Sequence, residues 1–377
     1  MIQIQYPYNV KNTKISKEDF NNEYYDFVKS FVDEDKLNIQ LKIVCENLTF
    51  KTLVTSDFEE LITLKTKIEN SANKDLISSL FKNKKEFIYS KAQPSISEFL
   101  MKYNNEMNLK SCHYCNIDFI NTFNEIDEYK ANLDFLNNAN ENELEIILKE
   151  NKSKLIFDNR PFLKIDDIKK ISGIGFKTFI LIDQLNLESF KNHFTLDHFI
   201  GKSDFPYLSL SLYNLIPSCS PCNTKFKHSK EFKIKSSKDS NFSPTSQNFS
   251  VGTDIDFKMF FDVNEENSTL NFNKIKSKND FKVKIQNNTS KEEIDEFIKI
   301  FKLQGRYNFH KDVSFKLLKK RKAYSDSQIK EIAGITKRDI LDVKKDIFGS
   351  VIFNEDENNE PFAKYKKDVA KQLGLIY

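Results

Sequence analysis

The sequence has 377 residues, 39% of them hydrophobic and 30% charged, which is sufficient for two or three compact regions with hydrophobic cores. The formal net charge of +3 is close to neutral, so the overall charge gives little indication of a polyanionic partner, and any basic surface must be local. The sequence contains no apolar stretch long enough to span a membrane, and its first residues lack the pattern of a secretion signal. We therefore expect a cytoplasmic protein with no membrane contact.

Residues 1–105 are predicted to form a mainly helical N-terminal region. Apolar residues recur at helical spacing in Phe58–Leu64 and in Leu76–Phe81. The alternating apolar run Leu41–Cys45 instead predicts a strand with a buried thiol at Cys45. No residue pattern in this region indicates a chemical function.

Four of the five cysteines form two Cys-x-x-Cys pairs in a central region, residues 106–236. The pairs are Cys112 with Cys115 and Cys219 with Cys222. In a reducing compartment such pairs favour metal binding over disulfides. Four thiolates complete a tetrahedral shell with no open position, so the sequence predicts a structural Zn²⁺ ion that supports folding rather than chemistry.

An inserted segment, residues 116–193, separates the first cysteine pair from the next motif. Its stretch 162–187 contains apolar residues at helical spacing, a Gly-Ile-Gly turn and a second apolar helix. This stretch resembles a helix-hairpin-helix, a module that grips the DNA backbone without reading bases. The resemblance implies that backbone N–H groups at Gly173 and Gly175 approach phosphate and that Lys177 adds positive charge. An ordinary helical hairpin with a glycine turn is the alternative interpretation.

Two short strands and a helix are predicted around the second cysteine pair. Phe194–Ile200 alternates apolar and polar residues and ends at a glycine, and Leu212–Pro217 forms a second extended segment. A helix can begin near Asn223, directly after the cysteine pair. This β-β-α order is expected to bring four polar residues to one place: Asp197, His198, Asn214 and Asn223.

Residues 251–377 are predicted to form a mixed C-terminal region. Strands are expected at Phe257–Val263 and Phe281–Ile285, followed by helices from Lys291 to Lys322 and from Ser325 onward. Together with the helical N-terminal region, these elements predict a fold of the α+β class.

The polar residues of the central region resemble the signature of HNH, or ββα-metal, endonucleases. The resemblance rests on the Asp197-His198 pair, on Asn214, and on Asn223 directly after the second cysteine pair. It implies a ββα-metal core in which His198 is the general base, oriented by Asn214. It also implies that Asp197 and Asn223 bind a catalytic Mg²⁺ or Mn²⁺ ion. Some members have a further histidine ligand where this chain has Lys227, which leaves two protein ligands here.

Lysines near this motif are expected to contact the nucleic-acid backbone: Lys202, Lys225 and Lys227. Lysine contacts phosphate as a point charge, whereas arginine is the commonest reader of guanine edges, and the sequence has only four arginines. We therefore expect little sequence specificity. The helix-hairpin-helix resemblance favours double-stranded DNA over RNA as the substrate.

The residues around the motif are also similar to those of bacterial anti-phage nucleases encoded beside an ATPase. This resemblance implies a role in antiviral defence and an ATPase partner subunit that controls cutting. Two other functions remain open. One is a zinc-ribbon module that binds nucleic acid or protein without cutting, and the other is an RNA-cleaving toxin.

Overall fold

A computed structural model describes residues 1–10, 13–83, 86–120, 122–124, 129–185, 190–230, 232, 234, 237–260, 274–289, 291–354 and 359–376. These residues combine helices with small antiparallel sheets, which confirms the predicted α+β class. None of the helices in these ranges is both long and apolar enough to cross a membrane.

The α-helices of the described residues are, in chain order, α1 (Lys17–Val28), α2 (Glu34–Val44), α3 (Phe50–Thr55), α4 (Phe58–Glu69), α5 (Lys74–Ser79), α6 (Tyr89–Lys102), α7 (Asn104–Met107), α8 (Asn132–Asn138), α9 (Glu141–Ile147), α10 (Glu150–Asp158), α11 (Phe176–Asp183), α12 (Val251–Asp254), α13 (Glu292–Ile300), α14 (Leu303–Phe309), α15 (Asp312–Ala323), α16 (Asp326–Thr336), α17 (Ile340–Phe348) and α18 (Ala363–Gln372). The strands are β1 (Lys82–Asn83), β2 (Glu86–Phe87), β3 (Thr122–Asn124), β4 (Phe190–Asn192), β5 (Thr195–His198), β6 (Leu215–Ser218), β7 (Ile255–Phe260) and β8 (Lys282–Asn287). They pair antiparallel as β1 with β2, β3 with β4, β5 with β6, and β7 with β8.

Side-chain caps define where several N-terminal helices begin. Ser16, Asp33 and Asp57 accept hydrogen bonds from backbone N–H groups in the first turns of α1, α2 and α4. Each helix then buries an apolar stripe, such as Leu37 and Leu41 in α2, both fully buried. The N-terminal part is mainly helical because the capping residues and the spacing of the apolar residues favour helices over the same segments.

The strand predicted around Cys45 is wrong. Residues up to Val44 belong to α2, and Cys45 is its half-buried C-cap, whose N–H donates to Leu41 O. The local alternation fits a strand, but Leu37 and Leu41 lie one helical turn apart and share the buried face. The helical spacing of the apolar residues over the longer segment therefore determines the structure.

The chain folds as two compact units, residues 1–121 with 194–377, and residues 122–193. In the first unit one core runs from the N-terminal helices through the cysteine pairs to the C-terminal helices. The second unit has a separate core between α8 and α11, formed by Phe135, Leu136, Leu144, Ile156, Ile168, Phe179 and Ile182.

The C-terminal part of the first unit contains both predicted strands, as β7 and β8. Buried and half-buried residues alternate along β7. Helix α18 covers this strand, since Asp368 accepts a hydrogen bond from Phe257 N at 3.0 Å and Gln372 accepts one from Met259 N at 2.9 Å. Residues 261–263 of the predicted first strand lie outside the described residues.

In the second unit, the first helix of the predicted hairpin is short and is not an α-helix. Ile165–Lys170 is a 3₁₀ helix, and α11 begins after Gly175. Gly173 has a φ of 95°, which favours glycine, whereas Gly175 has a φ of −88°, which any residue can adopt. Residues 186 and 187 of the predicted hairpin lie outside the described residues.

We expect Gly173→Ala to destabilise the second unit by about 1–2 kcal/mol, because a Cβ disfavours a positive φ. The added Cβ also meets Leu155 Cδ1 at 3.1 Å. Gly175→Ala is the matched control, because an added Cβ there meets nothing within 4 Å. Its stability should stay within about 0.5 kcal/mol of the parent protein. Urea denaturation measures both, and equal losses contradict the assignment of the turn to Gly173.

Candidate functional site

A β-hairpin followed by a short helix forms the centre of the candidate site. In the pairing of β5 with β6, Asp197 lies opposite Ile216 and His198 opposite Leu215. The helix Pro221–Lys227, which begins between the two cysteines of the second pair, is a π-helix rather than an α-helix. Short π-helical turns are rare overall, and those that occur are often found at functional sites. The β-β-helix order predicted from the sequence is present with this change of helix type.

The four paired cysteines meet in one buried cluster. Their sulfur atoms lie within 4.8 Å of one another, and Cys115 Sγ lies 3.9 Å from Cys219 Sγ. A tetrahedral zinc with Zn–S bonds of about 2.3 Å separates its sulfurs by about 3.8 Å. These residues can therefore hold a metal ion such as zinc, as the cysteine spacing predicted.

Arg306 on α14 contacts this cluster from the C-terminal region. Its guanidinium donates to Cys222 Sγ at 3.3 Å and to Cys115 Sγ at 3.4 Å, and it also pairs with Asp118 at 2.8 Å. The neighbouring Tyr307 hydroxyl donates to Cys115 O at 2.6 Å. Four thiolates around a divalent ion carry a net charge of about −2, which a buried guanidinium partly neutralises. The sequence alone did not indicate this contact, because 190 residues separate Arg306 from Cys115.

Replacing Arg306 with methionine is expected to weaken zinc binding about 10- to 100-fold, as for other residues that hydrogen-bond to metal ligands. Competition with a chromophoric chelator measures the affinity. Arg321→Met is the control, because Arg321 pairs with Asp326 at the surface and is remote in sequence from the cysteines. Equal zinc affinities in the two variants contradict a role for Arg306 at the cluster.

His198 has a defined orientation. Its Nε2 donates to the Ser209 carbonyl at 2.9 Å, which leaves the lone pair of the neutral ring on Nδ1. Burial lowers the pKa of His198 to about 3, and the ammonium groups of Lys202 and Lys227 add to the decrease. The ring is therefore neutral at cellular pH. Tyr89 of α6 packs edge-on against it, with 4.3 Å between ring centroids.

Asn214 holds the loop that carries the Ser209 carbonyl. Its Oδ1 accepts from Ile200 N at 2.7 Å, and its Nδ2 donates to Ile200 O at 3.0 Å and to Leu208 O at 3.1 Å. The side chain is fully buried. These bonds join both ends of the loop between β5 and β6, which is the geometry of the brace expected at Asn214.

We expect Asn214→Ala to lower the free energy of unfolding by about 2–4 kcal/mol, because buried backbone groups at Ile200 and Leu208 lose their partner. Chemical denaturation of the zinc-loaded chain measures the change. Asn223→Ala is the control: its Nδ2 makes one long hydrogen bond, 3.5 Å to Leu196 O. That variant should lose less than about 1 kcal/mol. A comparable loss in both variants is inconsistent with the brace.

Asp197 is bound on both sides by protein groups. The Lys227 ammonium lies 3.0 Å from Asp197 Oδ2 and 3.3 Å from Oδ1, and it also donates to the His198 carbonyl at 2.7 Å. The Tyr114 hydroxyl donates to Asp197 Oδ2 at 2.6 Å. Burial raises the pKa of Asp197, and the Lys227 charge and the Tyr114 hydroxyl oppose that increase. Asp197 is 5% exposed and Lys227 is 2% exposed.

The predicted ligands of a catalytic Mg²⁺ or Mn²⁺ ion do not fit such an ion in this arrangement. Mg²⁺ needs near-ideal octahedral oxygen coordination at about 2.1 Å. The Asp197 carboxylate, however, already accepts hydrogen bonds from a cation and a hydroxyl. A divalent ion there must displace the Lys227 ammonium or share the carboxylate with a like charge. Asn223, half-buried on the π-helix, offers one amide oxygen.

The lysines expected to contact nucleic acid differ in their surroundings. Lys225 is exposed, and Lys202 is half-buried with its ammonium 4.6 Å from the centroid of the Tyr89 ring. Lys227 does not lie at the surface as expected, because its ammonium points inward to Asp197. In the second unit, Gly173, Gly175 and Lys177 are all exposed around the start of α11.

Comparison with known protein families, with curated proteins and with solved structures gave no match for this chain.

Proposed function

We propose that the chain is an HNH-type endonuclease that hydrolyses phosphodiester bonds in DNA. The observation that carries the proposal is the hydrogen bond from His198 Nε2 to the Ser209 carbonyl. It selects the tautomer with the lone pair on Nδ1, on which the described residues place no hydrogen bond. A neutral imidazole nitrogen accepts a proton from an attacking water molecule. The hairpin and the Asn214 brace hold the ring in this orientation.

The substrate is proposed to be double-stranded DNA cut with little sequence specificity. Exposed Lys225 and half-buried Lys202 supply local positive charge near the hairpin. In the second unit, the exposed glycines and Lys177 at the start of α11 suit a backbone phosphate, because N–H groups at a helix start attract anions. Neither surface carries the arginine forks that usually read guanine.

The site is closed in the described conformation. His198 is 5% exposed, and Tyr89 lies against its ring. We infer that DNA reaches the base after the Tyr89 side chain moves, so the isolated chain cuts slowly until it is activated. An ATPase partner, as in the anti-phage systems that the motif resembles, is the proposed source of activation.

The burial of His198 and Asp197 also favours a second function, a zinc-organised module that binds nucleic acid or protein without cutting it. In that case the ion pair and the histidine stabilise the hairpin only. RNA cleavage is a further alternative that uses the same residues. A panel of plasmid, single-stranded DNA and RNA substrates separates these functions.

We expect His198→Gln to lower the rate of plasmid nicking about 10²- to 10⁴-fold, the usual contribution of a general base. Glutamine keeps a donor for the Ser209 carbonyl but has no basic nitrogen. Gel assays of supercoiled plasmid measure the rate, and zinc content and circular dichroism verify folding.

The matched control is His310→Ala, because His310 at the end of α14 contacts Phe309 and Phe362 and lies outside the site. It should cut at the parent rate. If His198→Gln also cuts within about threefold of the parent, His198 is not the base. If the parent protein binds these substrates and cuts none of them, the binding module is the better account.

A further inference from the structure

We infer that Lys227 is a second catalytic residue, whose ammonium takes the place of the catalytic divalent cation, so that cleavage at His198 requires no metal besides the structural zinc. The inference rests on the proposed function. It begins from the misfit between Asp197 and a divalent ion described above.

The ammonium lies at the Asp197 carboxylate, the group predicted to bind the catalytic cation. It is 3.0 Å from Asp197 Oδ2 and 2.7 Å from the main-chain carbonyl oxygen of His198, and its charge also acts on the His198 ring. The Lys227 side chain is only 3% exposed. A lysine this deeply buried needs a specific partner, and Asp197 is that partner.

Lys227 ends the π-helix and lies one turn after Asn223. The Asn223 carbonyl accepts from His228 N at 2.9 Å, an i to i+5 hydrogen bond that widens the turn. Four residues therefore complete slightly less than one turn, which places Lys227 close to the same helix face as Asn223. That position carries a histidine ligand in some proteins with the similar motif. Here a positive charge is supplied by the side chain itself.

The ammonium retains hydrogen-bonding capacity for a substrate. It has three N–H donors: one can lie between the two Asp197 oxygens, with Oδ2 at 3.0 Å and Oδ1 at 3.3 Å, and a second donates to the His198 carbonyl at 2.7 Å. The third N–H can then donate to a non-bridging phosphate oxygen. A fixed charge in a water-poor site stabilises developing negative charge more strongly than it does in bulk water.

The proposed hydrolysis balances without a metal. A water oxygen attacks phosphorus and transfers one proton to His198 Nδ1. The Lys227 ammonium stabilises the negative charge on the pentacoordinate phosphorus group. The bond from phosphorus to the 3′ oxygen breaks, and that oxygen leaves with the bonding electron pair and takes a proton from solvent. The products are a 5′ phosphate and a 3′ hydroxyl, and the histidine then returns its proton to solvent.

The first test measures Mn²⁺ binding by electron paramagnetic resonance in the full, zinc-loaded chain, which needs no activity. We expect the parent to bind Mn²⁺ weakly, and Lys227→His to bind it at least about tenfold more tightly, since it removes the ammonium and adds a ligand. The double variant with Asp197→Asn and Lys227→His should lose this increase in Mn²⁺ affinity. Tight binding in the parent that depends on Asp197 overturns the inference.

The second test measures plasmid nicking after chelation that leaves the zinc in place. The parent should cut equally, within about twofold, with and without Mg²⁺, and Lys227→Met combined with Asp197→Asn should cut at least about 100-fold more slowly. The double variant leaves no unpaired buried charge, so it should fold. Lys227→His should regain cutting only with added metal.

These results separate the two proposals. Parent cleavage that requires Mg²⁺ and is lost in His198→Gln overturns the role of Lys227 and leaves the nuclease intact. Cleavage that is independent of both His198 and Lys227 overturns both. If the parent cuts no substrate under either condition, the proposed nuclease and the lysine mechanism fall together, whatever the Mn²⁺ result.

Discussion

The structure of the first unit depends on the cluster of four cysteines. It joins a turn at Cys112–Cys115 to the hairpin and π-helix around Cys219–Cys222, and the second unit lies between them in the sequence. A bound zinc ion makes this closure part of folding, because separated thiolates do not form the site in an unfolded chain. The chain outside the hairpin also converges here, with Ile2 N donating to the His113 carbonyl and Arg306 reaching two sulfurs.

The cluster positions the groups around the Asp197 carboxylate. The first cysteine pair carries Tyr114, whose hydroxyl fixes Asp197, and the second pair begins the π-helix that carries Lys227. Both pairs are thus connected to the Asp197 carboxylate. A closed four-sulfur shell suits this role, since it has no open coordination position for substrate.

The sequence predicted the parts of the site that depend on local pattern. The two Cys-x-x-Cys pairs beside the motif indicated the metal cluster, and the alternation around Asp197 indicated the first strand of the hairpin, whereas the brace at Asn214 followed from the resemblance to HNH nucleases. The segment before Asn214, expected to be extended, is a 3₁₀ turn. The failures have physical causes. Cys45 was assigned to a strand because a short alternating run cannot be told from one face of a helix. The inward direction of Lys227 depends on its ion pair with Asp197, 30 residues earlier, which no local residue pattern signals. Arg306 is distant in sequence, and only tertiary packing brings it to the sulfurs.

The buried pair of Asp197 and Lys227 is better explained by function than by stability. Desolvation of two charges offsets most of their attraction, and well-packed apolar residues of similar volume often stabilise a core as well or better. The loop between β5 and β6 is closed by Asn214 and by the strand pairing, so its closure does not require the ion pair. Its carboxylate and ammonium lie directly beside the one histidine whose tautomer is fixed by the hairpin loop. A charge pair that is costly to bury and that lies beside this residue supports the proposed reaction, in which negative charge develops at the phosphate.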